Sequence, residues 1–161
     1  MARLMFPGTG KIRWVTTLSS TTAPTAVQIN AGVDLTPWLR QDGLNRTVTA
    51  NETDTADARD TFNRSDIGTY DASLEITFLR DSVSASDTAF TTLPRGTRGY
   101  LVVAPFGWDE EGLTAVALDR CEVWTAVVTA LGPESEGANK AQVMKTTFAL
   151  PDAPVLNAVV A

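Results

Sequence analysis

The sequence predicts a mainly β protein: two packed antiparallel sheets, as a sandwich or barrel, with one or two short helices. Threonine fills about one position in seven of the 161, and β-branched side chains, stiff at χ1, suit strands better than helices. Apolar and polar residues alternate in several short runs, the period of a half-buried strand. Prolines and glycines separate those runs, as turns separate the strands of an all-β domain. The length suits one domain, residues 1–161. A chain of this size buries roughly 68–70% of its unfolded surface, enough for a core without metal or disulfide.

Taken in order, residues 11–18 place Ile12, Trp14, Thr16 and Leu18 on one strand face and Arg13, Val15 and Thr17 on the other. Pro24 is suited to open a helix over residues 25–31 as its first residue, with Gly32 stopping it in a left-handed cap. Pro37 marks a turn or an extended edge. Residues 44–50 fit a strand, but residues 51–71 are polar, acidic and poor in core-forming side chains. Segment 43–71 therefore reads as a long loop or protruding hairpin, ordered by a partner or used in function. Ala72, Leu74, Ile76 and Phe78 then alternate with Ser73, Glu75 and Thr77, giving a strand with one buried and one wet face. Ser86 and Asp87 cap a short helix carrying Ala89, Phe90 and Leu93, ended by Pro94 and Gly96. Residues 100–104, 120–130 and 140–150 are further strands, the last two joined by a loop over residues 132–137. Residues 151–161 form an extended apolar tail that needs a surface to dock against.

The composition excludes much chemistry. There is no histidine, so no imidazole base, Ser-His-Asp triad or HExxH zinc site exists. Cys121 is the single cysteine, which removes internal disulfides and cysteine metal clusters; near a strand start it reads as a small apolar filler. The short apolar run Leu4-Met5-Phe6 is below the length of a signal-peptide core, and no stretch approaches a membrane span. Synthesis in a cytoplasm, without membrane insertion, is the expectation. The net charge of −6 argues against tight non-specific binding of nucleic acid, which requires clustered cations.

Each remaining candidate has a simpler explanation. Gly8-Thr9-Gly10-Lys11 lacks the spacing of a phosphate-binding loop, having Met5 and Ile12 where glycine and Ser or Thr belong. Asp54, Asp57 and Asp60 recur every third residue but do not match an EF-hand, and they read as a solvated loop. Asp109, Glu110 and Glu111 adjoin on a turn and would not face each other across a glycosidic bond. Trp14 and Trp124 lie in apolar strands and belong to packing, whereas Trp38 and Trp108, beside Pro37 and Gly107, are candidates for a contact surface. No catalytic residues, metal or cofactor are assigned, and the residues point to a structural or interaction protein.

Several stretches resemble the major tail tube proteins of long-tailed phages that infect actinobacteria. They are Gly10-Lys11-Ile12-Arg13-Trp14-Val15, Thr22-Ala23-Pro24-Thr25-Ala26, and Ile29-Asn30-Ala31-Gly32-Val33-Asp34-Leu35-Thr36. Ala56-Asp57 and Phe62-Asn63 follow, then Leu74-Glu75-Ile76-Thr77-Phe78-Leu79-Arg80-Asp81. Leu93-Pro94-Arg95-Gly96-Thr97-Arg98-Gly99-Tyr100-Leu101-Val102-Val103 and Pro151-Asp152-Ala153-Pro154-Val155 complete the set. No single stretch is a strict signature; their shared order along nearly the whole chain carries the resemblance.

The resemblance implies the phage tail-tube fold, with six copies in a ring and rings stacked into a tube. Each subunit would lend strands to a continuous β-barrel around a lumen wide enough for duplex DNA. The protein would act in the virion tail, after assembly in the host bacterial cytoplasm, as the conduit for DNA delivery. Its partners would be further copies of itself, tail tip or baseplate, tape-measure and tail terminator proteins, and double-stranded DNA in passage without tight binding. Ser73, Glu75 and Thr77 are then expected to face the lumen. Inter-ring or inter-subunit contacts are expected at Asn51, Asp54, Asp57, Phe62, Trp38, Trp108, Val155, Leu156 and Val159. Removing residues 154–161 is expected to leave a folded subunit that cannot polymerise. Two alternatives are a tail terminator or tail-completion protein, which would form a single ring, and a carbohydrate-binding β-sandwich stacking sugars on Trp38 and Trp108.

Overall fold

The computed structural model describes residues 10–59, 61–62, 64–108, 114–134 and 141–161. Strand β1 (Lys11–Val15) leads to helix α1 (Ala26–Asn30), the short strand β2 (Val33–Asp34) and a 3-10 turn (Thr36–Trp38). Strands β3 (Leu39–Asp54) and β4 (Ser65–Leu79) follow, then helix α2 (Thr88–Thr92) and strand β5 (Arg98–Ala104). Strands β6 (Arg120–Glu134), β7 (Val143–Ala149) and β8 (Val155–Val159) complete the described elements. The protein is thus mainly antiparallel β with a few short helices. No helix among the described residues is long and apolar enough to cross a membrane.

The strands hydrogen-bond in the order β2-β1-β5-β6-β7-β4-β3, with β8 paired to β6. The two packed sheets of the expected sandwich or barrel are continuous with each other, the ladder running through β6. That strand pairs with β5 along one edge, and with β8 and then β7 along the other. Register shifts between Cys121 and Val123 and between Val128 and Ala130 bend and twist it, as bulges do.

The sheet is curled, so that strands three places apart touch across its inner face. β1 and β7 are three places apart, or about 14 Å if the sheet were flat, yet the Trp14 and Phe148 ring centroids are 6.0 Å apart. Arg46 on β3 likewise reaches Glu122 on β6, with Nε 2.9 Å from Oε2. The concave face holds the main core, including Ile12, Trp14, Ile76, Phe78, Leu101 and Trp124. A second core covers the opposite face of β1, β5 and the start of β6: Val15, Val102 and Val123 lie under Ile29 of α1 and under Ala158 and Val160 of the C-terminal tail. Arg13 and Val15, on the strand face opposite Ile12 and Trp14, are therefore buried as well.

Local structure departs from expectation at four further places. Thr25 caps α1, its side chain accepting from the Gln28 backbone N–H, so Pro24 precedes the helix and is not its first residue. Gly32 has no left-handed conformation; an added Cβ would lie 2.8 Å from the Trp14 carbonyl oxygen, and this close approach accounts for glycine there. β6 continues through Gly132 and Pro133, which were expected in a loop, because β7 pairs with them as far as Glu134. In α2, the Asp87 carboxylate does not cap the helix but accepts from Arg80 Nε at 2.6 Å. The same guanidinium stands 4.0 Å over the Phe90 ring.

Candidate functional site

Two surfaces stand out, and the first is the β3–β4 arm. These strands pair from Leu39↔Phe78 out to Asp54↔Ser65. The proximal part covers the core through Leu44, Ala72 and Leu74, and the distal part extends beyond it into solvent. Polar cross-strand bonds hold the distal ladder, as where Asn51 Nδ2 donates to Asp71 Oδ2 at 3.1 Å. Near the tip, Asp57 Oδ1 accepts from the Arg59 backbone N–H at 2.7 Å, closing a local turn. Phe62 and Ile67 remain 77% and 84% exposed, and Tyr70 is also exposed. Burying one such side chain is worth about 1.5–3 kcal/mol, so the arm offers unspent apolar area. Asn51, Asp54, Asp57 and Phe62 all lie on it.

The second surface is the uncovered half of the outer sheet face. α1 and the tail cover this face over β1, β5 and the start of β6. Beyond them, β4, β7 and β3 present Ser73, Glu75 and Thr77 together with Thr47, Lys145 and Thr147, since paired residues share a face. Thr47 Oγ1 and Ser73 Oγ are hydrogen-bonded at 2.6 Å. Thr129 Oγ1 donates to the Thr147 carbonyl at 2.9 Å. Lys145 Nζ lies 3.0 Å from Glu75 Oε1. Its pKa is raised by the Glu75 hydrogen bond and charge, with a smaller contribution from Glu134.

The other expected contact residues are scattered. Trp108 is 3% exposed, in the second core, so it presents no stacking face to a sugar or a neighbour. Trp38 is partly buried against the main core. Val155, Leu156 and Val159 are in β8, which pairs with β6 of its own chain; Leu156 and Val159 keep exposed area. That area is augmented by Val27 and Leu118, both missed in the sequence. Val27 follows Ala26, whose N–H donates to the Ala161 carbonyl, and the Leu118 N–H donates to the Val160 carbonyl. A long-range signal of this kind has no local sequence pattern.

Nothing in these surfaces converges as a catalytic site. Among the described residues, no group of three or more Cys, Asp or Glu is arranged to hold a metal ion; Asp109, Glu110, Glu111, Gly8, Thr9 and Asp60 lie outside the described residues. Cys121 is buried, and burial, with Asp119 and Glu122 nearby, pushes its thiol up to about 12. It is an inert core residue at neutral pH.

Across residues 1–161 the sequence matches the phage tail tube protein family. The chain belongs to that family. As a phage tail tube protein it is a structural component of the tail, and its family is not an enzyme class. Among solved structures, it is similar to a chain of the six-fold symmetrised cryo-EM structure of the anti-feeding prophage baseplate. The TM-score is 0.54 at 12% identity, covering 96% of this chain and 97% of that one. It also aligns with the crystal structure of Hcp protein at a TM-score of 0.45 and 10% identity, covering 88% of each chain. No curated protein matches it. At such identity the first likeness shows a shared fold.

Proposed function

We propose that this tail tube protein assembles as six-membered rings that stack into a hollow tube, the conduit through which phage DNA enters the host bacterium. Ser73, Glu75 and Thr77 face the lumen, and the β3–β4 arm with Asn51, Asp54, Asp57 and Phe62 joins one subunit to the next. Exposed Leu156 and Val159, beside Val155, add to the neighbour contact. The observation that carries this reading is the division of the outer sheet face. One half is apolar and covered by the chain's own helix and tail; the other is polar and bare beside an arm with uncovered apolar side chains. A subunit with a long unpaired edge on β3 and an unspent arm is incomplete alone, and a closed ring removes such edges. The arm and the tail-end patch are different surfaces, so pairing them is heterologous and generates rings or stacks.

Family membership and the fold shared with a baseplate chain support the same reading. By this account the tube forms in the host cytoplasm, begins on the tail tip or baseplate, takes its length beside a tape-measure protein and is closed by a terminator. The stretches quoted above favour a long-tailed actinobacteriophage as its source. The test is negative-stain electron microscopy of the purified protein over a concentration series, with and without tail-tip complex. Hollow tubes are the expected result. Single rings that never stack would favour a tail terminator, and monomers under both conditions would refute the proposal.

A further inference from the structure

The bare half of the outer face carries its charge in a particular arrangement. Register across β3, β4 and β7 places Asn45, Thr47, Thr49, Asp71, Ser73, Glu75, Thr77, Lys145 and Thr147 on one surface. Lys145 is the one cation among these paired positions, and Glu75 Oε1 lies 3.0 Å from its Nζ. Glu134, paired beside it at Val143, adds a second negative charge that favours the ammonium form. Four hydroxyls are also engaged with the protein: Thr47 with Ser73 and Thr129 with Thr147. Serine and threonine hydroxyls and lysine ammoniums are the usual donors to DNA phosphates. Here the ammonium and those four hydroxyls already have neighbours as partners.

We propose that Glu75 is an internal counter-ion, holding the Lys145 ammonium against the sheet so that a polyanion sliding along this face meets no free cation. The inference rests on this face lining the conduit, and it gives Glu75 the role of local neutralisation. A freed ammonium repeated around each ring and along every ring would bind phosphates and release counterions. Each such contact adds affinity where none is wanted. A lysine ammonium is charged at neutral pH with or without its partner, so it must be masked and cannot be neutralised by losing its proton.

The test compares triggered DNA ejection from virions carrying Glu75→Gln, Lys145→Gln and both together, at low and high salt. Glu75→Gln should eject roughly three- to tenfold more slowly at low salt and approach wild type at high salt, as phosphate contacts weaken with salt. Lys145→Gln and the double variant should eject at the wild-type rate. Wild-type kinetics in Glu75→Gln, or a double variant as slow as Glu75→Gln, would overturn the counter-ion role. Should Glu75→Gln fail to assemble, Glu75→Asp, whose shorter carboxylate retreats from the ammonium, must show the same salt-sensitive slowing. A cryo-EM map of the wild-type tube separates the two ideas. The pair on the outer wall would refute the lumen reading, and this inference with it; the pair in the lumen with unaltered ejection would refute this inference alone.

Discussion

Cys121 shows how one buried residue links composition to stability. The thiol packs with Val123 and Ala158, and its pKa rises from 9.0 to about 12 because burial disfavours the thiolate and Asp119 and Glu122 repel it. The folded pKa lies above the unfolded one, so this contribution to stability is complete below about pH 9 and is lost as pH rises toward 12. Ellman's reagent should accordingly leave the native protein unmodified at pH 8 and titrate one thiol after unfolding in urea. Rapid reaction of the native protein would show that the second core is open at this site.

At the scale of elements, the tail and the arm behave differently. β8 pairs with β6, the Val159 N–H donates to the Thr22 carbonyl, and Ala158 and Val160 fill the second core. Deleting residues 154–161 should therefore cost about 3 kcal/mol or more in urea unfolding, in addition to any effect on assembly. A truncated chain of unchanged stability would contradict this. The arm should show the converse. Replacing Phe62, Ile67 and Tyr70 together by serine should leave the unfolding midpoint almost unchanged, since exposed substitutions usually shift stability by within about 0.5 kcal/mol each. Those replacements should abolish tube formation by electron microscopy. Much of this was legible in sequence because strand periodicity is local: the alternation of Leu74, Ile76 and Phe78 against Ser73, Glu75 and Thr77 is the observed division of β4. The two-sided burial of β1 and the docking of the tail were not legible, since each depends on partners far along the chain. For the same reason Trp108, beside a glycine turn, was a candidate for a contact surface while its ring lies in the second core.

Over the whole molecule, the features that a solitary globular protein would avoid fall on one account. A 16-residue edge strand, exposed apolar side chains on the arm and a bare hydroxyl-rich sheet face all become useful when copies of the chain close around a channel. The net charge of −6 suits that role, because a chain with this balance lacks the clustered cations that would retain DNA. Cryo-EM of tubes grown from the purified protein, with tail-tip complex if needed, is the most direct measurement of this account. It predicts six-fold rings in which Thr47, Ser73, Glu75, Thr77 and Lys145 line the lumen and the β3–β4 arm contacts a neighbouring copy. Tubes in which that face points outward or is buried between rings, with the arm free in solvent, would contradict it.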